Sequence, residues 1–232
     1  MDVHVGTSGF SYPAWKGSFY PDKLPQKEML SFYGGKFSTV EINNTFYRLP
    51  AASMLEGWAA QVPAGFRFAI KASQRITHQQ RLKDAGDTLA YLVQTVGVLG
   101  ERLGPILFQL PPNMKRDVPR LADFLALLPA GCRAAFEFRN EGWYDDEVYA
   151  LLRERGCALA ISETDSLAPP VIATADWGYL RLRREDYVEA DFARWAEHIR
   201  AQRTWKQAFV YFKHEDAGTG PRWAARLIEL LR

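Results

Sequence analysis

The chain has 232 residues, 47% of them hydrophobic, and a formal net charge of +2. A chain of this length buries about 70–75% of its unfolded surface, enough for one well-packed domain. The near-neutral balance argues against a general nucleic-acid or membrane surface, although a local basic cleft stays open.

The opening M-D-V-H-V-G-T-S-G has no basic segment followed by an apolar run, and no apolar stretch approaches about 20 residues. A cytoplasmic protein with no membrane partner is expected. Cys132 and Cys157 are too few and too far apart for a zinc site or a disulfide framework, and read as buried free thiols.

In chain order, apolar runs bounded by turn residues predict strands at 3–7, 39–43, 67–71, 106–110, 134–139, 158–162, 178–183 and 208–213. Helical patterns alternate with them. They cover 25–33, then 54–62 with Ser53 and Glu56 at capping-box spacing, then 88–99. Asp117 is placed to cap the next, whose Leu121, Phe124, Leu125 and Leu128 share a face. Later helices carry Val148, Leu151 and Leu152, then Phe192, Trp195 and Ile199, and a last one starts at Pro221 with Ala224, Leu227, Ile228 and Leu231 inward. Segment 163–175 holds adjacent prolines and no helical period, so the sixth crossover is expected to lack its helix.

Strict alternation of strand and helix predicts parallel strands with right-handed crossovers. Eight such units close most simply into an α/β fold of the (β/α)₈ TIM type, here one domain over 1–232. An open doubly wound sheet is the alternative, but G-T-S-G after the first strand is not the glycine-rich phosphate loop it often carries.

A barrel places its site at the C-terminal strand ends. Those positions hold Thr7 and Ser8, Glu41 and Asn43, Lys71 and Ser73, Gln109, Glu137 and Arg139, Glu163, Arg181 and Arg183, and Lys213 with His214. Side chains two apart on a strand share a face, so Glu137 lies with Arg139, Glu41 with Asn43, and Arg181 with Arg183. Buried charges cost several kcal/mol each, roughly, unless paired, so the cluster asks for a reason. The plain alternative is mutual neutralisation inside the barrel. The excess of cations implies an anionic or strongly polar ligand, with Glu41, Lys71 and Glu137 as candidates for proton transfer. Thr7, Ser8, Asn43, Gln109, Arg139, Arg181 and Lys213 are candidates for binding it. Aromatic residues follow several strands, and Trp143 is the candidate ligand wall; the others suit a satellite core under a long loop.

Other chemistries have weaker support. Glu41, Glu137, Glu163 and His214 make a metal set in principle, but the neighbouring cations repel one, so neither metal nor cofactor is expected. Ser8 and Ser73 have no local His and Asp arrangement and no G-x-S-x-G elbow. A nucleic-acid protein that tracks phosphates and stacks bases is the reading from another class, and a divalent-metal sugar isomerase or endonuclease-like barrel is the third.

V-G-T-S-G-F-S-Y-P-A-W-K-G-S-F-Y-P at 5–21, V-E-I-N-N-T-F-Y-R-L-P at 40–50 and F-R-F-A-I-K-A-S at 66–73 resemble the YecE-like proteins, also called domain of unknown function 72. L-G-P-I-L-F-Q-L-P-P-N at 103–113, F-E-F-R at 136–139 and T-A-D-W-G-Y-L-R-L at 174–182 extend the resemblance over nearly the whole chain. It implies a TIM-type barrel loosely grouped with sugar isomerases. It supplies no activity, and a shared fold does not define one. By motif, Glu41, Asn43, Lys71, Gln109, Glu137, Arg139 and Arg181 match the family's recurrent polar positions. The chain departs from the pattern in N-E-G-W at 140–143, where members often have H-P-S-W, and in F-K-H-E-D at 212–216, in place of an asparagine-rich end. Asn140, Lys213 and His214 thus mark a subgroup of their own. A metal-independent isomerase, lyase or hydrolase acting on a small anionic or carbohydrate-like substrate is the favoured expectation.

Overall fold

The computed structural model describes residues 1–166 and 169–232. Eight parallel strands form one sheet: β1 Asp2–Thr7, β2 Thr39–Ile42, β3 Arg67–Lys71, β4 Leu103–Gln109, β5 Ala134–Glu137, β6 Ala158–Glu163, β7 Trp177–Leu182 and β8 Gln207–Phe212. From β2 to β8 each strand pairs with the next in sequence, and β1 pairs with β8 in register from Asp2↔Gln207 to Thr7↔Phe212. The expected TIM-type barrel is the fold observed.

The seam between β1 and β2 is where the barrel closes least completely. Among the described residues, its ladder contact is the single bridge Ser8↔Glu41, with the Gly9 N–H donating to the Glu41 carbonyl at 2.8 Å. The Tyr33 hydroxyl fills the rest. It accepts from the Thr7 N–H at 2.8 Å and donates to the Thr39 carbonyl at 3.0 Å, so one phenol satisfies backbone groups that a ladder would have paired. A Cβ on Gly6 would lie 2.1 Å from the Thr39 carbonyl oxygen, so the seam needs a glycine there.

Among the described residues, seven α-helices lie between and after the strands: α1 Met29–Gly34, α2 Ala52–Ala59, α3 Gly86–Val96, α4 Val118–Leu127, α5 Asp146–Glu154, α6 Glu189–Ala201 and α7 Thr219–Leu231. Asp117 caps α4, accepting from the Arg120 N–H at 3.1 Å, and Leu121, Phe124 and Leu125 are buried on its inner face. Phe124 meets Phe108 of β4 edge-on, with ring centroids 5.2 Å apart. Several boundaries differ from expectation: β4 starts at Leu103 instead of 106, β5 ends at Glu137 instead of 139, and α1 starts at Met29 instead of 25, while two helix starts have a clear cause. The chain enters α2 extended at Ala51, with Ser53 already inside the helix, so the capping box does not form. At the other end α7 begins at Thr219, two residues before Pro221, because Gly218 in the left-handed region turns the chain into it.

Between β6 and β7 the described residues contain no helix. Leu167 and Ala168, within the segment expected to lack one, lie outside the described residues. Thr174 in this connection stitches β6 instead, accepting from the Leu159 N–H at 2.7 Å and donating to the Cys157 carbonyl at 2.8 Å.

The strands divide two cores. Outward side chains pack against the helices in the larger. Inside the barrel lies a smaller one, with Ala69, Leu107, Ala135, Ala158 and Ala160 facing Trp177, Tyr179, Phe209 and Tyr211. Small residues on β3, β5 and β6 make room for large rings on β7 and β8, so side chains occupy the interior. Above this plug, the next inward positions are polar or charged. No helix among the described residues is long and apolar enough to cross a membrane.

Candidate functional site: a cationic barrel mouth

Alternation along each strand carries Glu41 of β2, Lys71 of β3, Gln109 of β4, Glu137 of β5, Ser162 of β6 and Arg181 of β7 inward above the apolar plug. Arg181 organises this layer. Its side chain is 2% exposed and spans the barrel from β7 to two glutamates that are 0% exposed. Nη1 donates to Glu137 Oε2 at 2.6 Å, and Nη2 donates to Glu41 Oε2 at 2.9 Å and to Asn43 Oδ1 at 3.3 Å. Nε lies 2.7 Å from Glu41 Oε1, an ion-pair approach off the N–H line.

Glu41 also accepts from the Ser8 hydroxyl at 2.6 Å, the Asn43 amide at 3.0 Å and the Tyr179 hydroxyl at 2.8 Å. Burial alone would raise its pKa, but Arg181 and these donors outweigh it and hold the group at about 2. Glu137 is lowered too: burial opposes, and Arg181 and Arg139 prevail. Arg139 Nε pairs with its other oxygen. Both carboxylates are therefore ionised at neutral pH and fully engaged. They position Arg181, Arg139 and Asn43, and both side chains are 0% exposed.

The other cations are less matched. Lys71 sits over the Phe46 ring, 4.2 Å from its centroid, with no ion pair among the described residues. Burial, then Arg181, pulls its pKa down to about 8. Arg183, directly above Arg181 on the inward face, is mostly buried, and its Nε has no partner among the described residues. Burial, then Arg181, lowers its pKa to about 10. Lys213 is lowered as well, by burial and Arg183, and stands 3.9 Å from Glu215. Arg183, Arg139, Gln109, Thr164 and Ser166 line a cleft of ≈ 530 Å³, with exposed Glu141 on its rim. Sequence reasoning named Arg183 among the cations but not as a ligand group. Ser162, buried in the same layer with no hydrogen-bond partner for its hydroxyl among the described residues, it missed altogether.

Three expected mouth residues lie elsewhere. Trp143 is 0% exposed, stacked on Phe138 at 4.9 Å, with its ring N–H donating to the Met114 carbonyl at 2.8 Å. It anchors the loop after β5 and forms no ligand wall. Thr7 alternates outward and belongs to the Tyr33 seam. Glu163 also points outward, accepting from the Tyr187 hydroxyl at 2.9 Å, Trp195 Nε1 at 3.0 Å and Arg194 Nη2 at 2.9 Å. Glu163→Gln is therefore expected to cost about 1–2 kcal/mol in urea denaturation. Anion binding in titration calorimetry stays as in the wild type.

Among the described residues, no group of three His, Cys, Asp or Glu side chains is placed to hold a metal ion. The lowered pKa of Lys71 gives a direct test. At pH 8 about half of its amine is neutral, against well under 1% of an ordinary lysine, so limiting acetic anhydride should modify Lys71 ahead of exposed lysines. Peptide mass spectrometry reads the order, and a last-place Lys71 contradicts the lowered pKa.

A parallel barrel of this kind is a TIM-type protein, and its polar cluster lies at the C-terminal strand ends, where that fold usually builds a site. The chain belongs to the DUF72 family, described as "Protein of unknown function DUF72", whose profile matches residues 4–232. It is 23% identical over 270 residues to the UPF0759 protein YunF of Bacillus subtilis, covering 99% of this chain and 94% of that protein. It is 28% identical over 143 residues to the UPF0759 protein YecE of Escherichia coli K12, covering 61% of this chain and 50% of that protein. A DUF72 family protein from Thermotoga maritima superposes with a TM-score of 0.88 at 26% identity, covering 100% of this chain and 99% of that one. A second, from Enterococcus faecalis V583, superposes at 0.80 with 17% identity, covering 99% and 95%, and supports the fold alone. The family resemblance read from the motifs is thereby shown.

Proposed function

We propose that the mouth binds a small anionic, carbohydrate-like compound and exchanges a proton with it through Lys71, as an isomerase, lyase or hydrolase does. The observation that carries this reading is the state of Arg183: a mostly buried cation, its Nε without a partner among the described residues, lining a cleft beside Arg139. Both carboxylates of the layer are engaged by Arg181 and Arg139, so an external anion is the natural counterion. Lys71 supplies the titrating group, because its pKa of about 8 leaves both protonation states populated near neutrality. Glu41 and Glu137 act indirectly, by fixing Arg181 and Arg139. A cytoplasmic setting suits such a ligand.

The test is a thermal-shift screen of wild type and Lys71→Met against sugar phosphates, nucleotides, neutral sugars and short oligonucleotides, at two salt concentrations. A ligand at about 100 times its Kd adds roughly 2.7 kcal/mol. Stabilisation by a phosphorylated compound, weakened in Lys71→Met, is the expected result. Stabilisation by oligonucleotides alone, fading steeply with salt, overturns the reading in favour of a nucleic-acid protein.

A further inference from the structure

We infer that the ligand is bipartite: a phosphoryl group held by Gln109, Arg139 and Arg183, joined to a neutral polar ring seated in a second groove beside Asn43 and Asn44. This rests on the anion reading above and adds the substrate class, a small phosphorylated sugar or nucleoside.

The second groove, of ≈ 700 Å³, opens between the loop after β1, the loop after β2 and α2. Both it and the cationic cleft fall within the size range of small-ligand sites, about 300–1,000 Å³. Their chemistry differs. The groove is lined by Asn43, Asn44, Gln26, Gln61 and Tyr12, with Phe10 and Trp58 supplying ring surface and the exposed Lys27 as its one cation among the described residues. Carboxamides offer donors and acceptors together, which matches the hydroxyls of a sugar or the edge of a base, whereas a phosphate is all acceptor. Half-buried aromatic rings give such a ring a face to pack on. The cleft holds two guanidiniums, the forked donors suited to phosphoryl oxygens. Gly9 shapes the groove wall: at φ 92° a Cβ there would lie 2.4 Å from the Tyr12 hydroxyl.

One hydrogen-bonded chain joins the two. Asn43, in the groove lining, donates to Glu41 and accepts from Arg181; Arg181 donates to Glu137; Glu137 pairs with Arg139, in the cleft lining. The chain runs across the barrel from β2 through β7 to β5. Asn43 and Arg139, one on each lining, are thus held by the same Arg181 and glutamate layer, which is 0–2% exposed and lies beneath a ligand that spans the two.

Titration calorimetry with inorganic phosphate, a hexose 6-phosphate, a nucleoside 5′-monophosphate, the free hexose and the free nucleoside tests the inference. One of the two phosphorylated compounds should bind at least about tenfold tighter than phosphate, and which one does names the ring. The double variant Asn44→Ala, Gln61→Ala, at two exposed positions, should remove that advantage, leaving phosphate affinity within about twofold. Arg139→Met should weaken phosphate and the favoured compound alike. The bipartite reading is overturned, with the anion reading intact, if phosphate binds and neither compound exceeds it, or if the double variant keeps the advantage. Failure of phosphate and of both phosphorylated compounds to bind overturns both.

Discussion

Arg181→Met is expected to lose about 3–5 kcal/mol of stability, and the loss should deepen from acid to neutral pH. The wild-type arginine is the common partner of two glutamates that are 0% exposed. Removing it leaves Ser8, Asn43 and Tyr179 on Glu41, and Arg139 on Glu137. Those donors do not replace a full charge in contact with both. In the wild type, Glu41 sits at about 2, below its ordinary 4.5, so its contribution is fully present above pH 4.5 and is lost as pH falls toward 2. In the variant, burial becomes the dominant influence and lifts the folded-state pKa above 4.5. The unfolded chain then releases its protons first, and stability falls as pH rises through that interval. Urea denaturation at pH 5 and pH 8 measures the variant's sign, and wild type at pH 3 and pH 5 measures the other. A deficit equal at pH 5 and pH 8, or below about 1 kcal/mol, contradicts the central role given to Arg181.

Much of this layer was legible from the chain because strand alternation is rigid: Glu41 with Asn43, Glu137 with Arg139, and Arg181 with Arg183 share faces as two-residue spacing requires. The same rule, carried one step further, separates Glu163 from the mouth. Ala158 and Ala160 are the small inward residues of β6, so Ser162 follows inward and Glu163 turns out toward α6. Gly6 and Ser8 likewise put Thr7 on the outer side. Three features had no local signal. The reach of Arg181 across the barrel joins residues 44 and 140 positions apart. The closure of the β1–β2 seam by Tyr33 depends on a helix packing a phenol between two strands. Trp143 sits in a short turn with no periodicity, where a buried anchor and a ligand wall look alike.

Arg183→Met is expected to move stability and binding in opposite directions. The guanidinium is mostly buried, burial and the neighbouring Arg181 pull its pKa down to about 10, and among the described residues it has no ion pair. The folded state therefore bears a charge it does not neutralise. Met keeps much of the stem's packing and removes the charge, so denaturant stability should rise by roughly 1–3 kcal/mol. The same change deletes a charge-assisted donor from the cleft, about 1.5–3 kcal/mol of interaction with a bound phosphoryl oxygen, or a loss of roughly tenfold to a hundredfold in affinity. Lys71 carries a related cost: with its pKa at about 8 instead of 10.5, wild-type stability should climb as pH rises from 8 to 10.5, and Lys71→Met should flatten that climb. A gain in stability with loss of phosphate binding marks Arg183 as a residue kept for a ligand at the expense of the fold. A loss of stability marks it as structural, and unchanged binding removes it from the site. Paired urea and calorimetric titrations of the one variant decide among these three.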